Sequence, residues 1–275
     1  MSNLPRVGFV GVGTIVEALI TGLCASGEQR ANLLLSPRNE RIANRLAQRL
    51  PFAKVAADNQ AVLDGSDIVF LGVTPQVALD VITSLKFRPD HCVVSLISTF
   101  QVAKLRTLVA PAQVIVRAAP LPAVARRMGA LVIYPPVPQV VGLLDGLGQL
   151  VQLESEAQLE AFWVTTALMS SYFGLLDEVV TWLRNQNVEE AVARSYVAAT
   201  FNALGSTAQA RAADGFAKLV TDHSTPGGLN EQAFRELKAA GWTTRISEVL
   251  DLIHDRMAGR ATFEDRLPVN GGRAR

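Results

Sequence analysis

The chain has 275 residues, of which 49% are hydrophobic and 19% are charged, and its formal net charge is +1 at neutral pH. This length accommodates one large domain or two ordinary ones, with enough apolar residues for a sizeable core. The charge balance argues against general nucleic-acid binding, which needs a concentrated basic face, so we expect no nucleic-acid partner.

We expect neither a secretion signal nor a membrane span. The amino-terminal residues lead directly into a predicted strand, without the apolar segment and cleavage site of a signal peptide. The longest uncharged run, residues 128–144, contains three prolines and therefore makes a poor membrane helix. Cys24 and Cys92 stand alone, without the spacing of a zinc site or a disulfide framework. These features predict a cytoplasmic protein without a metal site or a membrane partner.

Residues 6–19 read RVGFVGVGTIVEAL, an apolar strand pattern followed by two glycines and an apolar-periodic helix. This arrangement is typical of dinucleotide binding. Gly11 permits the tight turn, and Gly13 removes the Cβ that would block the pyrophosphate. The first helical N–H groups, at Thr14 and Ile15, then face the phosphates. The third small position holds a valine, and glycine pairs also occur at such turns for purely structural reasons.

The end of the second predicted strand, LLLS at residues 33–36, bears on the choice of cofactor. An NAD-preferring enzyme normally has an acidic residue there, but the first acid here lies inside the following helix. Ser36 and Asn39 can donate to a 2′-phosphate, and the Arg38 guanidinium can pair with it. We therefore expect NADPH as the favoured cofactor, with NAD possible. A solvated first-turn arginine is the alternative interpretation of Arg38.

Short apolar runs alternate with helical patterns over the first half of the chain and predict a doubly wound parallel sheet in domain 1–152. Further strands are predicted at residues 67–73, 91–97, 112–118 and 131–136. The clearest is DIVFLGV at residues 67–73, after which Pro75 begins a helix.

From residue 155 onward the predicted elements are all helices. They cover residues 155–173, 175–185, 188–212, 229–240 and 243–257. Ser155 and Gln158 resemble a capping box at the first of them. The helix containing residues 191–210 is apolar or small around much of its circumference, so we expect it to pack against a second subunit. We predict a helical dimerisation and substrate domain at 153–260 and a disordered tail at 261–275.

The segment DHSTPGGLN, residues 222–230, lies between two helical patterns. Its hydroxyls, its Pro-Gly-Gly backbone and the start of the next helix form a plausible cradle for a carboxylate. An ordinary interhelical turn is the alternative. His223 lies in this segment, but a histidine beside a helix turn is more often structural than catalytic.

Four segments, in this order, resemble the pyrroline-5-carboxylate reductase family. They are GFVGVGTIVEALITGL at 8–23, LGVTPQ at 71–76, VIVRAAPLPA at 114–123 and STPGG at 224–228. The resemblance implies a Rossmann-type doubly wound parallel sheet followed by an all-α dimerisation domain, and hence a homodimer or a higher homo-oligomer. It implies hydride transfer from NAD(P)H to the C=N carbon of a cyclic imino acid, giving proline from pyrroline-5-carboxylate.

The resemblance also suggests where the reactants bind. The residues expected at the cofactor, besides those already given, are Val73, Thr74, Pro75, Ser98, Ala119 and Pro120. The residues expected at the substrate are Ser170, Ser171, Ser224, Gly227 and Gly228. Thr225 and Asn230 are the expected catalytic residues, through hydrogen bonds to the substrate nitrogen or carboxylate.

The chain departs from the family pattern at these positions. The stretch after Arg117 lacks the asparagine that the family places beside the nicotinamide, and Leu229 replaces a threonine. A buried substrate group left without its partner costs on the order of 1–3 kcal/mol. Two alternatives therefore stay open: a reductase of another imine or ketone on the same scaffold, and a non-catalytic dinucleotide-binding protein.

Overall fold

The first part of the chain forms one eight-stranded sheet. The computed structural model describes residues 4–25, 27 and 29–267. The strands are β1 (Arg6–Val10), β2 (Asn32–Leu35), β3 (Ala53–Val55), β4 (Ile68–Leu71), β5 (Cys92–Ser95), β6 (Val114–Ala119), β7 (Ala130–Tyr134) and β8 (Gln149–Gln152). Their order across the sheet is β3-β2-β1-β4-β5-β6-β7-β8. All neighbouring strands are parallel except β6 and β7.

Helices pack on both faces of this sheet, which gives two separate cores. The helices are α1 (Thr14–Leu23), α2 (Glu40–Arg49), α3 (Asn59–Asp64), α4 (Pro75–Thr83), α5 (Val102–Leu108) and α6 (Pro138–Leu144). Side chains alternate along each strand, so Phe70 packs with residues of α1, α2 and α6, whereas Leu71 packs with residues of α3, α4 and α5. This is the doubly wound architecture that the alternating pattern predicts.

The antiparallel strand β7 departs from the all-parallel sheet predicted from the sequence. Only residues 120–129 join β6 to β7, and a parallel connection needs a crossover of a dozen or more residues. A short 3-10 turn at Pro122–Arg126 fills the connection instead. This turn packs closely on α1, because a Cβ added to Gly22 would overlap the Val124 carbonyl. The strand β8 was not predicted.

The chain divides into two compact units between Trp163 and Val164. The helices from the end of the sheet onward are α7 (Glu156–Thr165), α8 (Met169–Asn185), α9 (Glu190–Ala210), α10 (Phe216–His223), α11 (Leu229–Ala239) and α12 (Trp242–Met257). In the second unit, α8 and α9 pack together around Val180, Ala193 and Val197. No helix within the described residues is long and apolar enough to span a bilayer.

The helix boundaries differ from prediction at several points. The predicted break at residue 174 is wrong, because α8 runs through Gly174 and the interruption lies at the 3-10 turn Thr166–Leu168. Helix α10 was not predicted. The capping bond predicted for Ser155 is present, since its Oγ accepts from the Gln158 N–H at 3.2 Å.

Part of the predicted disordered tail lies within the described residues. Residues 261–267 follow α12, and the carboxylate of Asp265 accepts from the Thr262 N–H at 2.6 Å. Arg260 and Asp255 form an ion pair at 2.6 Å just before this turn. The remainder of the predicted tail, residues 268–275, lies outside the described residues.

Candidate active site

The turn between β1 and α1 borders a cavity of about 430 Å³ at the carboxyl edge of the sheet. Its lining residues are Gly11, Val12, Gly13, Arg38, Asn39, Glu40, Gly72, Val73, Thr74 and Val77. The turns that follow β2, β1 and β4, three neighbouring strands of the sheet, thus meet at this cavity. A ligand site is expected at this point, because the strand order reverses between β1 and β4.

Glycine is needed at the two positions of this turn for different structural reasons. Gly11 has a φ of 88°, and a Cβ there would lie 2.7 Å from the Val73 side chain and 2.8 Å from its backbone nitrogen. Only glycine therefore fits. A Cβ on Gly13 would meet no atom within 4 Å, although Gly13 lines the cavity. The open space beside Gly13 is what a closely bound phosphate group requires.

The amino-terminal end of α1 supplies hydrogen-bond donors to this space. Gly13 is the N-cap of the helix and provides no side-chain cap. The first backbone N–H groups of α1, including those of Thr14 and Ile15, have no intrahelical acceptor, since the earliest helical bond runs from the Glu17 N–H to the Gly13 carbonyl. Such a helix end favours an anion. The geometry thus fits a dinucleotide pyrophosphate.

Ser36 does not lie where the sequence placed it. It is fully buried, and its Oγ accepts a hydrogen bond from the Gly11 N–H at 2.9 Å. The hydroxyl therefore stabilises the glycine turn from the buried side. Ser36 does not line the cavity, so a direct contact with a 2′-phosphate is not supported. Arg38 and Asn39 do line the cavity, and Arg38 is exposed.

The turn after β4 supplies the opposite wall. Val73 and Thr74 line the cavity, and Thr74 is the N-cap of α4 with Pro75 at the first helical position. Proline is favoured there because that N–H has no helical partner in any case. Pro75 itself is not part of the cavity wall. Val73 and Thr74 thus lie on the β4 side of the glycine turn, and their contact with a cofactor stays a prediction.

The other residues expected at the nicotinamide lie further across the sheet. Ser98 follows β5 and is half-buried, whereas Ala119 and Pro120 at the end of β6 are buried. Ala119 packs against Val132 and Leu159 in a small core of its own. None of the three lines the 430 Å³ cavity.

A buried arginine organises the loop that contains Ser98. Arg117 has no exposed surface, and it donates to the Ser98 carbonyl at 2.7 Å and to Glu156 at 2.6 Å. Glu160 lies 3.5 Å from the same guanidinium, and the Trp163 ring centre is 5.3 Å away. Among the described residues the Arg117 Nε has no hydrogen-bond partner, a deficit that costs about 1–3 kcal/mol. No local sequence pattern indicated this cluster.

In the second unit, the predicted substrate loop joins α10 to α11. The Gly228 N–H donates to the Thr225 carbonyl at 2.8 Å and closes the turn. The Asn230 side chain donates to the His223 carbonyl at 3.1 Å, and the Glu231 carboxylate accepts from the Gly227 N–H at 2.7 Å. One N–H of this loop thus binds a carboxylate of the chain itself, that of Glu231, and binding of a substrate carboxylate stays a prediction.

The remaining polar groups of this unit have simple local partners. The Ser224 hydroxyl donates to the Val220 carbonyl at 2.7 Å, and the His223 Nδ1 lies 2.8 Å from the Leu219 carbonyl. Ser170 and Ser171 are exposed in the first turn of α8. Within the described part of the chain, no group of three His, Cys, Asp or Glu residues is arranged to hold a metal ion.

Known proteins match the chain over most of its length. The family described as NADP oxidoreductase coenzyme F420-dependent matches residues 6–99. A pyrroline-5-carboxylate reductase of Pseudomonas aeruginosa is 25% identical over an aligned length of 271 residues, and the alignment covers 93% of this chain and 97% of that protein. The structure of 1-pyrroline-5-carboxylate reductase from Streptococcus pyogenes matches with a TM-score of 0.81 at 22% identity, covering 94% of this chain and all of that one.

A second solved structure, pyrroline carboxylate reductase from Plasmodium falciparum with NADP bound, matches with a TM-score of 0.79 at 14% identity and covers 94% and 98% of the two chains. At these identities the solved structures establish the fold. The fold class predicted from the sequence, a doubly wound parallel sheet followed by helices, is confirmed, with the antiparallel pairing of β6 and β7 as the one departure among the strand pairs described. The family resemblance predicted from the four segments is confirmed as well.

Proposed function

We propose that this chain, which belongs to the pyrroline-5-carboxylate reductase family, uses NADPH to reduce the C=N bond of pyrroline-5-carboxylate and so forms proline. The observation that carries the proposal is the cavity at the glycine turn, where open space at Gly13 and the free N–H groups of α1 fit a dinucleotide. The relationship to a pyrroline-5-carboxylate reductase covers 93% of the chain, so both the sheet and the helical unit have counterparts in that enzyme.

The preference for NADPH follows from the residues after β2. Arg38 and Asn39 line the cavity on the β2 side of the glycine turn, where the adenosine ribose of a dinucleotide lies. An exposed guanidinium and an amide suit a phosphate at the 2′ position. Glu40 lines the same wall from the first residue of α2 and could accept from a ribose hydroxyl, which leaves NADH as a weaker alternative.

NADPH, when bound, supplies the hydride. The protein's task is to hold the two reactants in register and to exclude water. The N–H groups of α1 bind the pyrophosphate, and Ser36 keeps the Gly11 turn in shape for it. A cyclic imine is basic enough to be protonated readily, so the reaction needs no strong acid from the chain. We accordingly assign no proton transfer to His223, whose Nδ1 is engaged by α10.

The substrate carboxylate is assigned to the loop of the second unit. Gly227 offers its backbone N–H once Glu231 releases it, and Gly228 shapes the turn through its own bond to the Thr225 carbonyl. Ser224 and Thr225 add hydroxyl oxygens just before α11. Asn230 lies in the first turn of α11, where its amide bridges the loop and can hydrogen-bond the substrate nitrogen or carboxylate. Ser170 and Ser171 complete the proposed set from the start of α8.

We further propose a homodimer or a higher homo-oligomer formed through the helical unit. Large apolar side chains are exposed there, among them Phe173 and Tyr196 at 65% each and Trp182 at 61%. They lie on α8 and α9, whose mutual core is small. Exposed aromatic groups of this size are typical of an interface. Both cysteines are free thiols, which suits a reducing compartment, and we propose a cytoplasmic location.

A panel of cyclic imines tests the function directly. Oxidation of NADPH and of NADH is followed with pyrroline-5-carboxylate, with its six-membered homologue and with 1-pyrroline, which has no carboxylate. We expect turnover of pyrroline-5-carboxylate with a lower KM for NADPH than for NADH. Turnover of another cyclic imine, without turnover of pyrroline-5-carboxylate, favours a different imine reductase on this scaffold. NADPH binding in calorimetry without oxidation by any imine favours a non-catalytic binding protein.

A further inference from the structure

Arg117 is a charged side chain with no exposed surface, and the proposed reaction does not use it. Its guanidinium holds a segment that follows β5. It donates to the Ser98 carbonyl at 2.7 Å and to the Glu156 carboxylate at 2.6 Å. The same Glu156 oxygen accepts from the N–H of Val102, the first residue of α5. The loop between β5 and α5 is therefore held at Ser98 and at Val102 by one ion pair whose arginine is buried.

The anchored carbonyl determines where the next backbone N–H points. The carbonyl of Ser98 and the N–H of Thr99 belong to one planar peptide unit, in which the two groups point in opposite directions. Because the carbonyl is directed into the protein toward buried Arg117, the Thr99 N–H is directed away from it, and Thr99 is exposed. Within the described part of the chain this N–H has no hydrogen-bond acceptor.

The place of this donor in the sheet suggests its ligand. The glycine turn after β1 takes the pyrophosphate, and the β2 side takes the adenosine half of a dinucleotide. The order β2-β1-β4-β5 leaves the nicotinamide half on the side of β4 and β5. The Leu96 N–H bonds the Leu71 carbonyl at 3.0 Å, which ties the start of the β5 loop to the end of β4. The nicotinamide carries a carboxamide oxygen, which is a hydrogen-bond acceptor.

We infer that Arg117 is a positioning residue that, by holding the Ser98 carbonyl, presents the Thr99 N–H to the carboxamide of the nicotinamide. The inference rests on the proposed dinucleotide function. It explains why an arginine occupies this position, since the guanidinium fork donates to a carbonyl and a carboxylate at once, whereas a lysine ammonium has no such fixed geometry. The inference also explains why the protein retains a buried arginine whose Nε has no hydrogen-bond partner among the described residues.

The test separates the two halves of the cofactor. Calorimetry measures the Kd of NADPH and of 2′-phospho-ADP-ribose, which lacks the nicotinamide, for the wild type, Arg117→Lys and Arg88→Lys. Arg88 is the matched control, because its guanidinium also holds backbone carbonyls, those of Leu63, Asp64 and Ser66, but at the opposite edge of the sheet. We expect Arg117→Lys to weaken NADPH about tenfold and 2′-phospho-ADP-ribose by less than about twofold. Arg88→Lys should change neither Kd.

Equal weakening of both ligands by Arg117→Lys, or no change, would overturn the inference. A second measurement needs no variant: the Thr99 amide resonance of the wild type should shift with NADPH and stay in place with 2′-phospho-ADP-ribose. The same response to both ligands, or to neither, also contradicts the inference, and this measurement decides if Arg117→Lys does not fold. Failure of the wild type to bind either ligand would overturn the proposed function itself. Binding without imine turnover overturns only the proposed reaction.

Discussion

Val16 on α1 packs against Gly72 at the end of β4, so closely that a Cβ on Gly72 would overlap the valine Cγ2. Val16 occupies the third small position of the glycine motif, where a small residue normally permits close packing of helix and sheet. Here the glycine needed for that close approach stands on the partner strand. The imperfect motif is therefore complete in three dimensions, through a glycine that lies far along the chain from Val16.

This packing predicts a compensating pair of substitutions. Gly72→Ala should destabilise the protein by about 1–3 kcal/mol, because the added methyl overlaps Val16 and approaches the Gly11 carbonyl. Adding Val16→Ala should restore part of that loss, since it removes one of the two clashes. Urea unfolding of the two single variants and the double variant measures this coupling. Strictly additive losses would show that the two residues do not press on one another.

The glycines of the turn should respond to substitution in opposite ways. Gly13→Val should leave the Tm nearly unchanged, because the site is open and its backbone is extended, yet reduce NADPH affinity more than about a hundredfold by blocking the phosphate. Gly11→Ala should lower the Tm, because φ is 88° and Val73 is too close. Thermal unfolding and calorimetry on both variants check this contrast. Unchanged NADPH affinity in Gly13→Val would mean that the cofactor site is misplaced.

Substitutions at Arg38 and Ser36 should distinguish an effect on the choice between NADPH and NADH from an effect on the binding of both cofactors. Arg38→Ala removes a charged partner of the 2′-phosphate and should raise the KM for NADPH about 10- to 100-fold with little effect on NADH. Ser36→Ala removes the hydrogen bond to the Gly11 N–H, which supports the turn for either cofactor. It should therefore weaken both cofactors by a similar factor. A loss confined to NADPH in Ser36→Ala would restore the direct phosphate contact expected from the sequence.

The Ser36 result illustrates what the sequence could and could not predict. Periodicity identified most of the strands, though not β8, and also the order of fold elements and the glycine turn, because these depend on local residue types. The direction of the Ser36 hydroxyl depends on the backbone of a neighbouring strand, and the Arg117 cluster depends on Glu156 and Glu160, which are distant in the sequence. Such contacts between distant segments leave no local pattern. The predicted helix break near residue 174 was wrong for a different reason, because a local residue type was given too much weight. A helix tolerates one glycine at a cost of about 1 kcal/mol.

His91 should make stability depend on pH. Burial, and next the charge of Arg88, lower the pKa of His91 from its ordinary value of 6.5. The neutral ring suits its surroundings, because Nδ1 accepts from the Arg88 N–H at 3.0 Å and Nε2 lies 3.1 Å from the Leu63 carbonyl. The unfolded chain thus binds the proton more readily than the folded one. The stabilisation is complete above pH 6.5 and is lost as the pH falls from there through the folded pKa.

Urea unfolding at pH 7.5 and pH 5.5 measures the pH-dependent contribution of His91 to the free energy of unfolding. The free energy of unfolding should fall between these pH values by more in the wild type than in His91→Asn, which cannot take up the proton. His254→Asn, at an exposed histidine on α12, is the matched control and should behave as the wild type. An equal pH dependence in the wild type and His91→Asn would show that the buried ring does not contribute.

Glu231 should compete with a carboxylated substrate. Its carboxylate accepts from the Gly227 N–H at 2.7 Å, and the proposed function assigns that same donor to the substrate carboxylate. Glu231→Ala frees the N–H and removes a like charge, so the KM for pyrroline-5-carboxylate should fall about three- to tenfold. The KM for 1-pyrroline, which has no carboxylate, should fall less. Glu236→Ala, which removes the same charge from α11 at an exposed pair with Arg235, is the control. A rise in the KM for pyrroline-5-carboxylate in Glu231→Ala would instead show that Glu231 holds the loop in its binding conformation.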